Sequence, residues 1–229
     1  MRKQQRRVEL SALAFPLRPE LMEGLTKVGG RFSDNSCSLY LDKVCFSWPS
    51  GANAIDQCSL SIPGPGLWMI VGSNGSGKST LFRLISGMLK PCSGQIYSTL
   101  KPLLMFQNPD HQLLLPTCCS DLSLSLPRGM PLRQRLKRIK GALEQVDLAG
   151  MELRPIHTLS GGQKQRLALA GALASDATLL LLDEPTALLD SDSQKIVLKT
   201  VSELSTRKKN PITALWITHR LEELEHCDG

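Results

Sequence analysis

With 229 residues, 41% hydrophobic and 21% charged, the chain is long enough for one well-buried domain and too short for two with separate cores, and its composition excludes disorder over the whole length. Its longest apolar runs, 178–182 and 211–218, fall well short of the roughly 18 to 20 residues a helix needs to cross a bilayer, so the chain does not span a membrane by itself. The formal charge is +6, and half of it lies in residues 1–36, where seven Lys/Arg stand against four Asp/Glu.

That first segment shows no sustained periodicity and reads as a basic extension outside the fold. Its arginine-rich start resembles an organelle transit peptide, a match that Glu9, Glu20 and Glu23 weaken, and the other readings are membrane contact or a disordered tail. The expected location is therefore the plastid, with the cytoplasmic face of the cell membrane as the alternative. Little aromatic interleaving makes the segment a poor nucleic-acid surface, and no nucleic-acid partner is expected. Cys37, Cys45, Cys58, Cys92, Cys118, Cys119 and Cys227 are odd in number and lack a CxxC pair, so they read as reduced thiols rather than a disulfide frame or a zinc site.

Downstream, alternating apolar residues over 38–48 and 58–62, separated by Pro49-Ser50-Gly51, predict a strand, a turn and a second strand. Residues 67–71 read as a buried strand, followed by a glycine-rich turn and a helix with Leu81, Leu84, Ile85, Met88 and Leu89 on one face. Leu132, Leu136, Ile139, Leu143 and Val146 recur at helical spacing, and a helical subdomain is expected over about 108–158. Arg133, Arg135, Lys137, Arg138 and Lys140 read there as a solvated face, with a partner or nucleic-acid contact as the second reading. A helix after Ser160, a strand over 179–182, a helix over 196–204, a strand over 212–218 and a last helix from Leu221 complete the alternation. This is an α/β pattern that predicts a mainly parallel sheet covered on both faces. No internal repeat is visible, so a tandem of two such units is not encoded.

Gly72-Ser73-Asn74-Gly75-Ser76-Gly77-Lys78-Ser79-Thr80 fits the phosphate-loop pattern, in which glycines let backbone amides turn inward and the following helix presents its positive end to phosphate. Lys78 is expected to reach the β- and γ-phosphates of a bound ATP, Ser79 to coordinate Mg²⁺, and Thr80 to help hold the α-phosphate. The four fixed positions match by chance in on the order of one per cent of chains this long. The context excludes a merely flexible turn, because the loop follows a buried strand and opens an amphipathic helix. An apolar strand ends in Asp183-Glu184; beside a phosphate loop, Asp183 is expected to hold the metal and Glu184 to polarise the attacking water.

Leu159-Ser160-Gly161-Gly162-Gln163 is where the chain resembles the nucleotide-binding subunits of ABC (ATP-binding cassette) transporters, a resemblance running from about residue 37 to the end. By itself Ser-Gly-Gly is also an ordinary helix cap; the order of phosphate loop, Gln107, Ser160–Gln163, acidic strand end, Asp190 and His219 carries the family. The resemblance implies a phosphate-loop nucleotidase with an antiparallel β piece and a helical subdomain. In such proteins Ser160 and the exposed amides of Gly161 and Gly162 would face an ATP held by a second subunit. It further implies that Gln107 senses Mg²⁺ and couples to the membrane subunit, that Asp190 lies on a dimer-interface loop, and that His219 contacts the γ-phosphate. Trp48 would stack on adenine, its alternative being a core or edge-strand tryptophan.

Ala187-Leu188-Leu189-Asp190 replaces the family's commoner Ser-Ala-Leu-Asp but keeps the aspartate. Two departures stand out: the sequence stops at Glu225-His226-Cys227-Asp228-Gly229, where relatives continue into further strands, which reads as a truncated end, and residues 113–126 carry an unusual Cys118-Cys119 pair. Phe106-Gln107-Asn108-Pro109-Asp110-His111-Gln112 resembles the energy-coupling ATPases of metal-ion and vitamin importers and their plant and cyanobacterial relatives. The function implied is ATP hydrolysis coupled to transport, with a second ABC ATPase subunit and a separate transmembrane subunit as partners. The alternative is a soluble ABC-type ATPase in an assembly process such as iron–sulfur cluster building.

Overall fold

The computed structural model describes residues 37–229, so the readings placed on residues 1–36 lie outside the described residues. Two compact units share the described chain, one of residues 37–64 with 90–99 and one of residues 65–89 with 100–229.

The first unit is an antiparallel sheet of β1 (Leu39–Ser47), β2 (Asn53–Ile62) and β4 (Ser93–Ser98), in the order β2-β1-β4. Strand alternation buries Leu39 and Leu41, and a register shift beyond Leu41 then keeps Val44 and Phe46 on the same buried face. Lys43 makes that shift in a left-handed conformation, φ 45°. Across from it Gly94 has φ 80°, and a Cβ there would run into the Lys43 carbonyl, so only glycine closes this pair. β2 starts at Asn53, five residues before the expected 58, because its polar first half is drawn into pairing by β1.

The second unit is built on a parallel sheet of β3 (Gly66–Val71), β5 (Pro102–Met105), β6 (Leu179–Asp183) and β7 (Thr213–Thr218), in the order β3-β7-β6-β5. Leu179 to Leu182 and Ala214 to Ile217 are fully buried, as strands covered on both faces require. Around the sheet lie α1 (Lys78–Ile85), α2 (Cys118–Leu124), α3 (Leu132–Gln145), α4 (Gly161–Ala174) and α5 (Ser191–Thr206). Short 3-10 turns occupy Pro109–His111, Ile156–Thr158 and Leu221–His226. Over 108–158 every regular element is helical apart from one isolated bridge, Thr117 to Pro155.

Three local expectations are corrected. The helix after the glycine turn stops at Ile85, because Gly87 takes φ 77°, and Met88 is left 60% exposed rather than on the buried face. The last element is a 3-10 turn, not an α-helix. On α3, Ile139 and Leu143 are buried, but Leu132 and Leu136 are 70% and 51% exposed. β4 and β5 were not expected from the sequence. Among the described residues no helix is long and apolar enough to cross a membrane.

Candidate functional site

β3 feeds the glycine turn and α1 takes over at Lys78. Gly75 (φ 77°) and Gly77 (φ 94°) supply the left-handed corners, and the Ser76 amide donates to the Ser73 carbonyl at 3.2 Å. Gly77 is the N-cap of α1 and carries no side chain to satisfy the first-turn amides, nor is there an acidic residue in that turn. A helix start left this way is a receptor for an anion. Lys78 folds over the loop, its Nζ donating to the carbonyls of Gly72 (2.7 Å) and Ser73 (2.8 Å) and to Ser76 Oγ (3.4 Å). Ser73, Asn74, Gly75 and Ser76 are exposed, whereas Thr80 is buried.

Beside this loop stands the acidic end of β6. Asp183, its last residue, accepts a 3.1 Å hydrogen bond from Ser79 Oγ. Burial raises the Asp183 carboxyl above the ordinary carboxylate range and the neighbouring Glu184 adds to this, against the hydrogen bond from Ser79 and the charges of Arg83 and Lys78. Glu184 lies past the strand with φ 48°, a left-handed backbone that costs about 1 kcal/mol or more for a non-glycine residue. Its amide donates to the Ile217 carbonyl of β7 at 3.1 Å, which holds the turn. The two carboxylates accordingly meet different partners, Asp183 with Ser79 and Glu184 with Gln107 and His219. Glu184 Oε2 accepts from Gln107 Nε2 at 3.1 Å, and its Oε1 lies 3.5 Å from His219 Nδ1.

Ser79, Gln107, Asp183, Glu184 and His219 are thus linked in pairs at the loop and strand ends of one unit. The oxygens of Ser79, Asp183 and Gln107 form a hard donor set, and Gln107 Oε1 accepts no hydrogen bond among the described residues. That set fits a small divalent cation such as Mg²⁺.

Behind the cluster lies a network that sequence reading missed. Glu223 is only 6% exposed, and its carboxylate accepts from Thr186 Oγ1 at 2.6 Å and from Trp216 Nε1 at 3.0 Å. Gln194 Nε2 donates to the carbonyls of Thr186 (3.2 Å) and Leu189 (2.7 Å), and its oxygen accepts from Arg220 Nη1 at 2.8 Å. The segments that follow Glu184 and His219 are therefore joined twice. The one signal in the sequence is proximity, since Thr186 and Arg220 lie next to recognised motifs.

Ser160 caps α4 in a capping box: its Oγ accepts from the Gln163 amide at 3.3 Å and its amide donates to Gln163 Oε1 at 3.0 Å. Gly161 is exposed as expected, but Gly162 is buried, and a Cβ there would collide with Ser193 Oγ and lie 2.8 Å from Ser193 Cβ. Close packing onto the first turn of α5 buries it. Asp190 caps α5, accepting from the Ser193 amide (2.9 Å) and hydroxyl (2.8 Å), bonds that pull its carboxyl below the usual range. Among the described residues no hydrogen bond or ion pair links Ser160–Gln163 to the glycine loop. Trp48 belongs to the first unit, where its ring meets Phe46 edge-on at 5.1 Å. In the segment after Gln107, Asn108 caps a 3-10 turn, Gln112 Oε1 accepts from the Phe106 amide at 3.2 Å, and Asp110 pairs with Lys164 of α4 at 2.7 Å.

Comparison with known proteins bears on the same residues. A family described as ABC transporter matches residues 55–187. The chain is 42% identical to ABC transporter I family member 10 of Arabidopsis thaliana over 94% of this chain and 82% of that protein. It is 40% identical to the energy-coupling factor transporter ATP-binding protein EcfA1 of Lactiplantibacillus plantarum, over 69% of this chain and 61% of that one. Among solved structures, cbiO1 of Clostridium perfringens, part of the ABC transporter complex cbiONQ, superposes with a TM-score of 0.77 at 31% identity, covering 85% of this chain and 83% of the other. With the glycine loop, the acid-terminated strand and the capped Ser-Gly-Gly-Gln helix in place, this chain belongs to the ABC transporter family, as one of its ATP-binding and ATP-hydrolysing subunits.

Proposed function

We propose that the chain holds Mg²⁺-ATP on the glycine loop and α1, and that closure on a second ABC ATPase subunit drives a separate transmembrane subunit. The observation that carries this reading is the linkage of Ser79 with Asp183 and of Glu184 with both Gln107 and His219, beside a helix start that no side chain caps. In this reading Lys78 leaves the loop carbonyls for the β- and γ-phosphates, the backbone of residues 72–77 wraps them, and Thr80 supports the α-phosphate. Ser79, Asp183 and Gln107 hold the metal, which when bound neutralises developing charge on the phosphates. Glu184 takes the proton of the attacking water, and His219 orients Glu184 and contacts the γ-phosphate. Ser160, Gly161 and Gly162, with Gln163 bracing Ser160, face the ATP of the partner; Asp190 lies at that interface. Trp48 stacks on adenine.

We further propose that residues 37–229 form the ABC ATPase domain with 108–158 as its helical subdomain. Residues 1–36 are proposed as a transit peptide that places the protein at a plastid membrane. The support is the arginine-rich start and the plant relative. The energy-coupling reading rests on Phe106–Gln112 and on the likeness to EcfA1.

The test is affinity purification of the Glu184→Gln variant with ATP from solubilised membranes. ATP is retained while phosphate release falls about 10² to 10⁴-fold, and a multi-span membrane protein co-purifies. Unchanged phosphate release removes Glu184 from its role. Recovery of soluble scaffold proteins alone replaces transport with an assembly process.

A further inference from the structure

We infer that the outer face of α3 is a docking surface for an anionic lipid headgroup layer. Between residues 122 and 143 the chain has six Lys/Arg and no Asp/Glu, a local charge equal to that of the whole protein. Among the described residues only Arg138 of these has a counterion, Asp176 at 2.7 Å, with the Ser175 carbonyl beside it. The side chains of Arg128, Arg133, Arg135, Lys137 and Lys140 make no ion pair or hydrogen bond among the described residues, and all but Arg135 are exposed. Their placement is unfavourable for the helix as it stands. α3 starts after Pro131 without a side-chain cap, with no acid in its first turn and Arg133 there instead, so like charges crowd the positive helix end. An external anion relieves that repulsion.

Beside the stripe of Arg133, Lys137 and Lys140 stand Leu132 and Leu136, one helical turn apart and 70% and 51% exposed. Ile139 and Leu143 continue the stripe of Leu132 and Leu136 toward the helix C-terminus and, with Ala142, fill the core, whereas the two leucines of the first turns extend past what the core covers. Cations with exposed leucines beside them suit a bilayer surface, where Lys and Arg meet phosphate and the leucines reach the acyl boundary. Nucleic acid is the poorer match: residues 112–147 contain no aromatic on which a base could stack. This inference does not rest on the transport reading, because a bare lipid surface suffices to test it.

The full chain is mixed with vesicles of phosphatidylcholine containing phosphatidylglycerol, and separately with phosphatidylcholine alone, and the bound fraction is read by flotation. Binding to the anionic vesicles only, weakened by added salt, is the expected result. Arg133→Glu/Lys137→Glu/Lys140→Glu lowers the partition coefficient about 100-fold or more, and Leu132→Ser/Leu136→Ser lowers it about 10-fold. Both variants retain binding of a fluorescent ATP analogue, which verifies folding. The inference is overturned by absence of binding to the anionic vesicles, by undiminished binding of either variant, which would move the contact to the basic residues 1–36 or to charge alone, or by tighter binding to duplex DNA than to the vesicles.

Discussion

Two helix starts in the second unit solve the same problem in opposite ways. α4 begins at Ser160 with a reciprocal pair of side-chain bonds to Gln163, whereas α1 begins at a left-handed Gly77 with no capping side chain. Both starts are rich in glycine, and both were read from sequence as phosphate contacts. The difference teaches that α4 meets part of its own need within the chain, through the Gln163 amide that Ser160 caps, while α1 leaves its first-turn amides without a side-chain acceptor and keeps Lys78 on the loop carbonyls. An anion at α1 fills a need of the fold. An anion at α4, which the proposed pairing would bring from a second subunit, is an addition to a helix start that its own cap already meets in part.

The contrast can be broken most strongly at Lys78. Lys78→Ala removes charge-assisted bonds to phosphate and lowers ATP affinity about 10 to 100-fold in isothermal titration, with the urea midpoint nearly unchanged; a large loss of stability would show that the loop depends on Lys78 for its own shape. At α4 the order reverses. Gly162→Ala forces a methyl into Ser193 and costs about 1 to 3 kcal/mol in urea unfolding; Ser193→Gly in the same chain recovers part of it, and no recovery would mean that the collision is not the cause.

Smaller still is Ser160→Ala, which removes one side of the capping box at about 1 kcal/mol and leaves ATP affinity of the lone chain intact. The smallest effect is a pH dependence. Because the Ser193 bonds depress the folded-state carboxyl of Asp190, its contribution is present above the unfolded pKa of about 3.9 and is lost as pH falls through the depressed folded value. Asp190→Asn, also a good cap, flattens that part of the acid limb in unfolding curves; an unaltered limb would clear Asp190 of the effect.

The parts of this molecule that were legible in sequence are those whose information is local. The glycine loop, the strand ending in Asp183-Glu184 and the Ser160 cap each lie within a few residues, and each falls where its pattern predicts. β4 and β5 were illegible because Ser93–Ser98 has few strongly apolar residues and Pro102–Met105 is four residues long and starts with proline. Their strand character comes from partners β1 and β6, and the proline is tolerated because β5 is an edge strand. On α3 the period was right, yet a period cannot tell that Leu132 and Leu136 lie beyond the buried surface. Glu223 failed to stand out because a glutamate between leucine and other acids reads as solvated; its burial follows from donors at Thr186 and Trp216. For Ser160 the bland reading and the functional one do not compete, since a cap can brace the residue that meets a phosphate.

Strand order has a consequence during synthesis. β3, which delivers the glycine loop, has β7 as its one named strand neighbour in the sheet, with Gly66 opposite Thr213 and Val71 opposite Thr218. As the chain leaves the ribosome, the loop and α1 emerge early, but β3 cannot enter the sheet until residues 213–218 are free. Closing so long a loop is entropically costly and is repaid only when β6 and β7 are buried together. A nascent chain therefore exposes its nucleotide loop long before it can hold a nucleotide, and ATP stabilises finished subunits while leaving partial ones to chaperones and proteases.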